Sequence, residues 1–144
     1  MPALRLSVQG HNRFARLPAR ATLARWMSAA LDRDAEIVLR FVDAREGRRL
    51  NREFRGKDYA TDVLTFGYSQ APVVQADLVI CPAVVRSAAR ELRRPFRDRL
   101  AHLVVHASLH ALGYDHDRPA AARAMEAREV AVLAALGYGD PYRD

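Results

Sequence analysis

The chain has 144 residues, half of them apolar and 28% charged, which suits one folded domain with a core of its own. No apolar run reaches the ~18 residues a membrane span needs, and the opening stretch MPALRLSVQG lacks the charged start and long apolar core of a secretion signal. The net charge of +6 favours anionic partners, nucleic acid first, or else a solvated basic surface, and the single Cys81 excludes an internal disulfide and points to a reduced, cytoplasmic setting.

In chain order, LRLSVQ (4–9) alternates apolar and polar residues as a half-buried strand does. Residues 16–31 read as a helix with Leu23, Trp26, Met27 and Ala30 on one face. AEIVLRFVD (35–43) is β-branched and aromatic, a second strand. Residues 44–55 form a short helix with a weak point expected at Gly47. TDVLTFGY (61–68) and ADLVICP (76–82) are two further strands, and 83–92 is helical. Pro95 suits the first turn of a long helix, 95–112. A last helix runs from near Pro119 to Gly137. The order β-α-β-α-β-β-α-α-α predicts a single α/β domain over 1–144, a small mixed four-stranded sheet packed by about five helices.

HASLHALGYDH (106–116) carries the chemistry. Positions four apart on a helix lie about 40° apart around the axis, so His102, His106 and His110 form one narrow stripe. Apolar residues surround that stripe, with Ser108 the one polar exception in the last turns. Such a helix is buried, and the histidines need partners. His106 and His110, at i and i+4, have Cβ atoms roughly 5–6 Å apart and can converge on one metal ion. On a continued helix His116 would lie about 9 Å further along and on another face. Gly113 can end the helix in the left-handed conformation and let His116 fold back. Three neutral imidazoles leave the fourth position of a tetrahedral zinc open for water, the arrangement of catalytic sites. Zinc can lower the pKa of that water to ~7.

Ala107 stands where zinc peptidases of the H-E-x-x-H class carry their glutamate base, which argues against peptidase chemistry. Asp115 and Asp117 flank His116 and can orient an imidazole or accept a proton, or else serve the turn. His102, one turn before His106, lines the cleft or helps to orient a ligand, or else packs and hydrogen-bonds within the core. A second constellation gathers Asn51, Arg55, Lys57, Asp58, Thr61 and Asp62 between a helix and a strand. Arg55 precedes a glycine, and its planar fork suits phosphate oxygens. Lys57 is the sole lysine in the chain.

These two segments resemble the YbeY family, bacterial endoribonucleases that mature ribosomal RNA. The family pattern N-x-x-[YF]-R-x-K-D-x-x-T-[DN]-V-L-S-F reads here NREFRGKDYATDVLTF, with Thr65 where serine is usual. A G-D-I-x-I strand reads ADLVI, with Ala76 for glycine. The pattern H-G-x-L-H-L-x-G-Y-D-H reads HASLHALGYDH, with Ala107 and Ala111 for glycine and leucine, and the tail LGYGDPY is also similar. The resemblance spans nearly the whole chain, and none of these departures touches an expected ligand. It implies one zinc ion (Zn2+) held by His106, His110 and His116, and Arg55 as a functional arginine engaging RNA phosphate or the transition state. It further implies single-stranded RNA as substrate, a place in 16S rRNA 3′-end maturation and ribosome quality control, and the small ribosomal subunit as partner.

The expected chemistry follows. Zinc activates or polarises, Arg55 stabilises the charge added at phosphorus, and Asp115 handles a proton. Lys57 and nearby arginines hold the backbone, so binding weakens steeply with salt. Water and the RNA 2′-OH both remain open as nucleophile, and imidazole ligands also suit nickel, copper and iron. No DNA or membrane partner is expected. Two rival readings are a zinc hydrolase of a peptide-like or small-molecule substrate and a ribosome-associated RNA-binding protein whose zinc is structural.

Overall fold

The computed structural model describes residues 2–143. Strand β1 (Leu4–Gln9) turns Leu6 inward. Strand β2 (Ala35–Phe41) buries Ala35, Ile37, Leu39 and Phe41, the period-two pattern of a strand with one face on a core. Gly10, which ends β1, has φ +75°, and a Cβ there would sit 2.4 Å from the Phe41 carbonyl oxygen; only glycine fits. Strands β3 (Val63–Ser69) and β4 (Val74–Ile80) pair antiparallel, while β2 runs parallel to both β1 and β4. The sheet order is β1-β2-β4-β3, the mixed sheet expected. The β3–β4 register shifts between Gly67 and Ser69, and the intervening Tyr68 projects into solvent with its hydroxyl donating to Asp77 Oδ2 at 2.9 Å.

Among the described residues there are five α-helices. They are α1 (Arg20–Ala30), α2 (Ala44–Arg55), α3 (Pro82–Leu92), α4 (Phe96–Leu112) and α5 (Pro119–Ala135). Helix α1 buries the face the spacing predicted, Leu23, Trp26, Met27 and Ala30. It begins at Arg20 and not at residue 16: Pro18 disfavours helical backbone at the residue before it, and Ala19 is extended with ψ 154°. Likewise Pro95 lies just outside α4, extended with ψ 143°. Helix α2 runs unbroken through Gly47, which faces Val42, Ala60 and Cys81, where a Cβ would find ordinary contacts of 3.7–3.9 Å.

Helix α4 is the centre of the molecule. It packs against α1, α3, α5, β3 and β4, and from Leu100 to Leu112 all but His106 and His110 are buried. Ser108, the polar exception, returns its hydroxyl to the Val104 carbonyl at 2.8 Å, so it costs no unpaired donor. On the opposite side of the sheet α2 covers a smaller cluster of Val42, Leu50, Leu64, Val79 and Cys81. That packing sets the last turn of α2, and Arg55 with it, beside β3.

Candidate functional site

Helix α4 ends at Gly113, left-handed with φ +109°. The amide of Gly113 bonds the His110 carbonyl and that of Tyr114 bonds the Leu109 carbonyl, closing the helix by paired return bonds. The reversal carries His116 back over the last turns. Its ring centroid lies 5.0 Å from that of His110 and 5.8 Å from that of His106, and the His106 and His110 rings are 4.6 Å apart. One nitrogen from each of the three rings lies within 4.8 Å of the others. The turn has a second effect: it presents the Tyr114 carbonyl to His110 Nδ1 at 3.0 Å. A carbonyl only accepts, so this assigns the proton to Nδ1 and leaves the Nε2 lone pair available. Burial, then the neighbouring His106, lowers the His110 pKa, which favours the neutral ring that a metal needs.

Behind His106 stands Glu129 of α5, 1% exposed. Its Oε1 accepts from His106 Nδ1 at 3.1 Å, and its Oε2 from His102 Nε2 at 2.5 Å and from the Tyr142 hydroxyl at 2.8 Å. Burial alone would raise the carboxyl; the hydrogen bonds from His102, His106 and Tyr142 outweigh it, and the pKa is lowered to about 2. Burial and that carboxylate push the Tyr142 phenol up. His102, His106 and Glu129 also form a group close enough to bind a metal. Their atoms are already joined by N–H to carboxylate bonds, however, with Tyr142 filling a further position. In the His106–His110–His116 group the hydrogen bonds go to Nδ1 of His106 and His110, which leaves Nε2 of each free, and His116 has no hydrogen-bond partner among the described residues. That donor set, three imidazoles of which two have fixed tautomers, fits a borderline-soft divalent ion such as zinc.

The three histidines open onto a cleft of about 1020 Å³ that Arg55, Lys57, Tyr59, Tyr68 and Asp115 also line. Arg55 is placed by Gly56, whose left-handed backbone ends α2. Its Nη2 donates to the Thr65 carbonyl at 2.7 Å, and its guanidinium lies 5.7 Å from the Phe66 ring centroid. Asp115 Oδ1 accepts from the Asp117 amide at 3.3 Å, so Asp115 shapes the turn while also facing the cleft.

The model of the family described as Endoribonuclease YbeY matches residues 9–137. The chain belongs to the YbeY family. Proteins of the same name from Methylibium petroleiphilum and Cupriavidus pinatubonensis are 54% and 51% identical, covering 98% and 99% of this chain and 95% and 74% of their own lengths. A Thermotoga maritima protein of known solution structure shares the fold, with TM-score 0.59 and 24% identity over 96% of this chain and 99% of its own.

In this YbeY-family chain the fold brings His106, His110, His116, Arg55, Lys57 and Asp115 to one cleft. The rest of the second constellation divides. Asn51, Thr61 and Asp62 line the cleft, and the buried Asn51 also holds the loop by donating to the Tyr59 carbonyl at 2.9 Å. Asp58 is instead clamped by Arg48 at 2.8 and 2.9 Å. Sequence reasoning missed Glu129 and Tyr142. For Glu129 a signal existed: Met125, Glu129, Val132 and Leu133 are the buried positions of α5, so the glutamate occupies a place where helical spacing asks for an apolar residue. Tyr142, in an irregular tail, carried no such signal. His102 takes the core role, hydrogen-bonded to Glu129 and to Arg99 Nη1 at 3.2 Å.

Proposed function

We propose that this chain is a zinc-dependent endoribonuclease that cleaves single-stranded RNA and acts in 16S rRNA 3′-end maturation and ribosome quality control. The observation that carries the reading is the convergence of three imidazoles with Arg55 and Lys57 in one open cleft. The name that the relatives carry supports RNA as the substrate. The similarity of both long motifs to the family supports the ribosomal assignment, with the small ribosomal subunit as partner. The lone, buried Cys81 supports a reducing, cytoplasmic setting. Among the described residues no helix is long and apolar enough to cross a membrane.

In this mechanism His106, His110 and His116 hold the ion. When bound, zinc supplies a Lewis acid that readies oxygen nucleophiles near neutral pH and polarises a phosphoryl oxygen. Lys57 holds the RNA backbone as a point charge. Arg55 leaves the Thr65 carbonyl for a phosphate oxygen and neutralises charge as the attacking oxygen bonds to phosphorus. Asp115, on the loop that carries His116, takes the proton from that oxygen and gives it to the departing alkoxide as the P–O bond breaks.

Two observations favour this over the rivals. Ala107 is fully buried, so the place of a peptidase glutamate is sealed in the core. No fourth His, Cys, Asp or Glu joins the three-histidine group among the described residues, so the centre lacks the closed shell of a structural zinc. The test is end-group analysis of single-stranded RNA cut by zinc-loaded protein, with chelated protein, His110→Ala and Arg55→Ala alongside. Cleavage that stops on chelation and in both variants supports the reading, and cyclic-phosphate ends would mark the 2′-OH as nucleophile. Cleavage unchanged in both variants contradicts it.

A further inference from the structure

We infer that Glu129, braced by His102 and Tyr142, is a positioning residue for the metal centre: its carboxylate holds the His106 proton on Nδ1 and so leaves the Nε2 lone pair for the ion. This rests on the reading of His106, His110 and His116 as ligands.

The His102 tautomer follows from one arginine, and the remaining directions follow from the Glu129 carboxylate, which only accepts. Arg99 can only donate. Its Nη2 donates to Asp62 Oδ2 at 3.4 Å and its Nη1 faces His102 Nδ1 at 3.2 Å. His102 Nδ1 therefore accepts, and its single proton sits on Nε2. That proton points at Glu129 Oε2, 2.5 Å away, so Oε2 accepts. The Tyr142 hydroxyl donates to the same oxygen. Oε1 is then left to His106 Nδ1 at 3.1 Å, and the tautomer of His106 is set. Each of the two α4 ligands thus has its Nδ1 proton anchored, His110 on the Tyr114 carbonyl and His106 on a charged carboxylate.

The placement also explains an otherwise costly choice. A carboxylate 1% exposed in the apolar face of α5 could be replaced by a leucine if only packing mattered. A carboxylate behind a ligand imidazole raises the basicity of the ring and fixes its orientation, and loss of such a partner weakens metal binding about 10–100-fold. Tyr142 adds a link to the C-terminal tail: its ring packs edge-on to His102 with centroids 5.5 Å apart while its hydroxyl caps Glu129. The tail therefore closes the back of the centre.

The experiment measures Zn2+ affinity by competition with a chromophoric chelator for wild type, Glu129→Gln, Tyr142→Phe and His110→Ala. Circular dichroism of each metal-free protein reports folding, and nitrogen-15 NMR of metal-free wild type reports the His106 tautomer. A glutamine cannot accept from all three donors, because its amide nitrogen is itself a donor. The expected result is a loss of affinity of about 10–100-fold for Glu129→Gln, a smaller loss for Tyr142→Phe, and a proton on Nδ1 of His106 in wild type. A folded Glu129→Gln protein that binds Zn2+ like wild type, while His110→Ala does not, overturns the positioning role and leaves the metal centre standing. Equal affinity in His110→Ala and wild type overturns the metal centre and this inference with it. Where Glu129→Gln does not fold, the wild-type tautomer decides: a proton on Nε2 of His106 overturns the proposal.

Discussion

At the scale of single residues, Arg55 and Glu129 illustrate opposite ways to place a charge. Arg55 is exposed, and its carbonyl partner at 2.7 Å is a resting contact that phosphate can replace. Removing a donor that stabilises developing negative charge costs about 10²–10³ in rate. Steady-state cleavage of a single-stranded RNA by Arg55→Ala should fall by about that factor with zinc content unchanged, and Arg55→Lys should not restore it, because lysine lacks the planar fork. An equal fall in bound zinc would instead make Arg55 part of the metal site. Glu129 is buried and permanently partnered. Its pKa is lowered from 4.5 to about 2 in the folded protein, so the stability it adds is present above the unfolded value and lost as pH falls through the folded one. For metal-free protein, the Tm gap between wild type and Glu129→Gln should be widest above about pH 5 and close toward about pH 2. A gap constant across that window would mean that the carboxylate carries no pH-linked stability.

At the scale of elements, α4 and its terminal turn form the decisive unit. The helix could be read from the sequence because its apolar residues surround a single histidine stripe, and Gly113 because a glycine after a helix and before a ligand has few other uses. Where reading failed, local chemistry was overridden by a neighbour in sequence or space. Pro18 moved the start of α1. Asp58 looked functional beside Arg55, yet its pairing with Arg48 ties down the loop that carries Lys57. Glu129 was marked only as a charge on the buried face of α5; its partners come from α4 and the tail, and no spacing within α5 encodes them. The turn itself makes a sharp prediction. A Cβ at Gly113 would meet the Gln70 side chain at 2.9 Å in a backbone with φ +109°. Gly113→Ala should cost about 1–2 kcal/mol by denaturant unfolding and weaken Zn2+ binding as well, because Tyr114 and His116 both hang on this turn. Reduced stability with Zn2+ affinity intact would separate the turn from the centre.

At the scale of the molecule, the fold places an arginine-bearing helix end on one side of a sheet edge and a histidine-bearing helix end on the other, with β3 between them. The cleft is what lies between those two helix ends. The net charge of +6 did not by itself distinguish a ligand-binding surface from a solvated one; the convergence of Arg55 and Lys57 on the cleft gives part of it a direction. Binding of a single-stranded RNA to metal-loaded Arg55→Ala and Lys57→Ala should show a shallower dependence of log affinity on log salt than wild type, by roughly 0.7 for each phosphate that the variant no longer neutralises. Slopes equal to wild type would mean that RNA phosphates are held elsewhere on the surface.

X-ray absorption at the zinc edge of freshly purified, stoichiometrically loaded protein addresses the open three-histidine centre most directly. The expected result is one ion bound by three imidazole nitrogens and one light oxygen ligand at about 2.0–2.1 Å, and loss of that ion in His110→Ala. A sulfur ligand, a fourth imidazole, or full zinc retention in His110→Ala would contradict it.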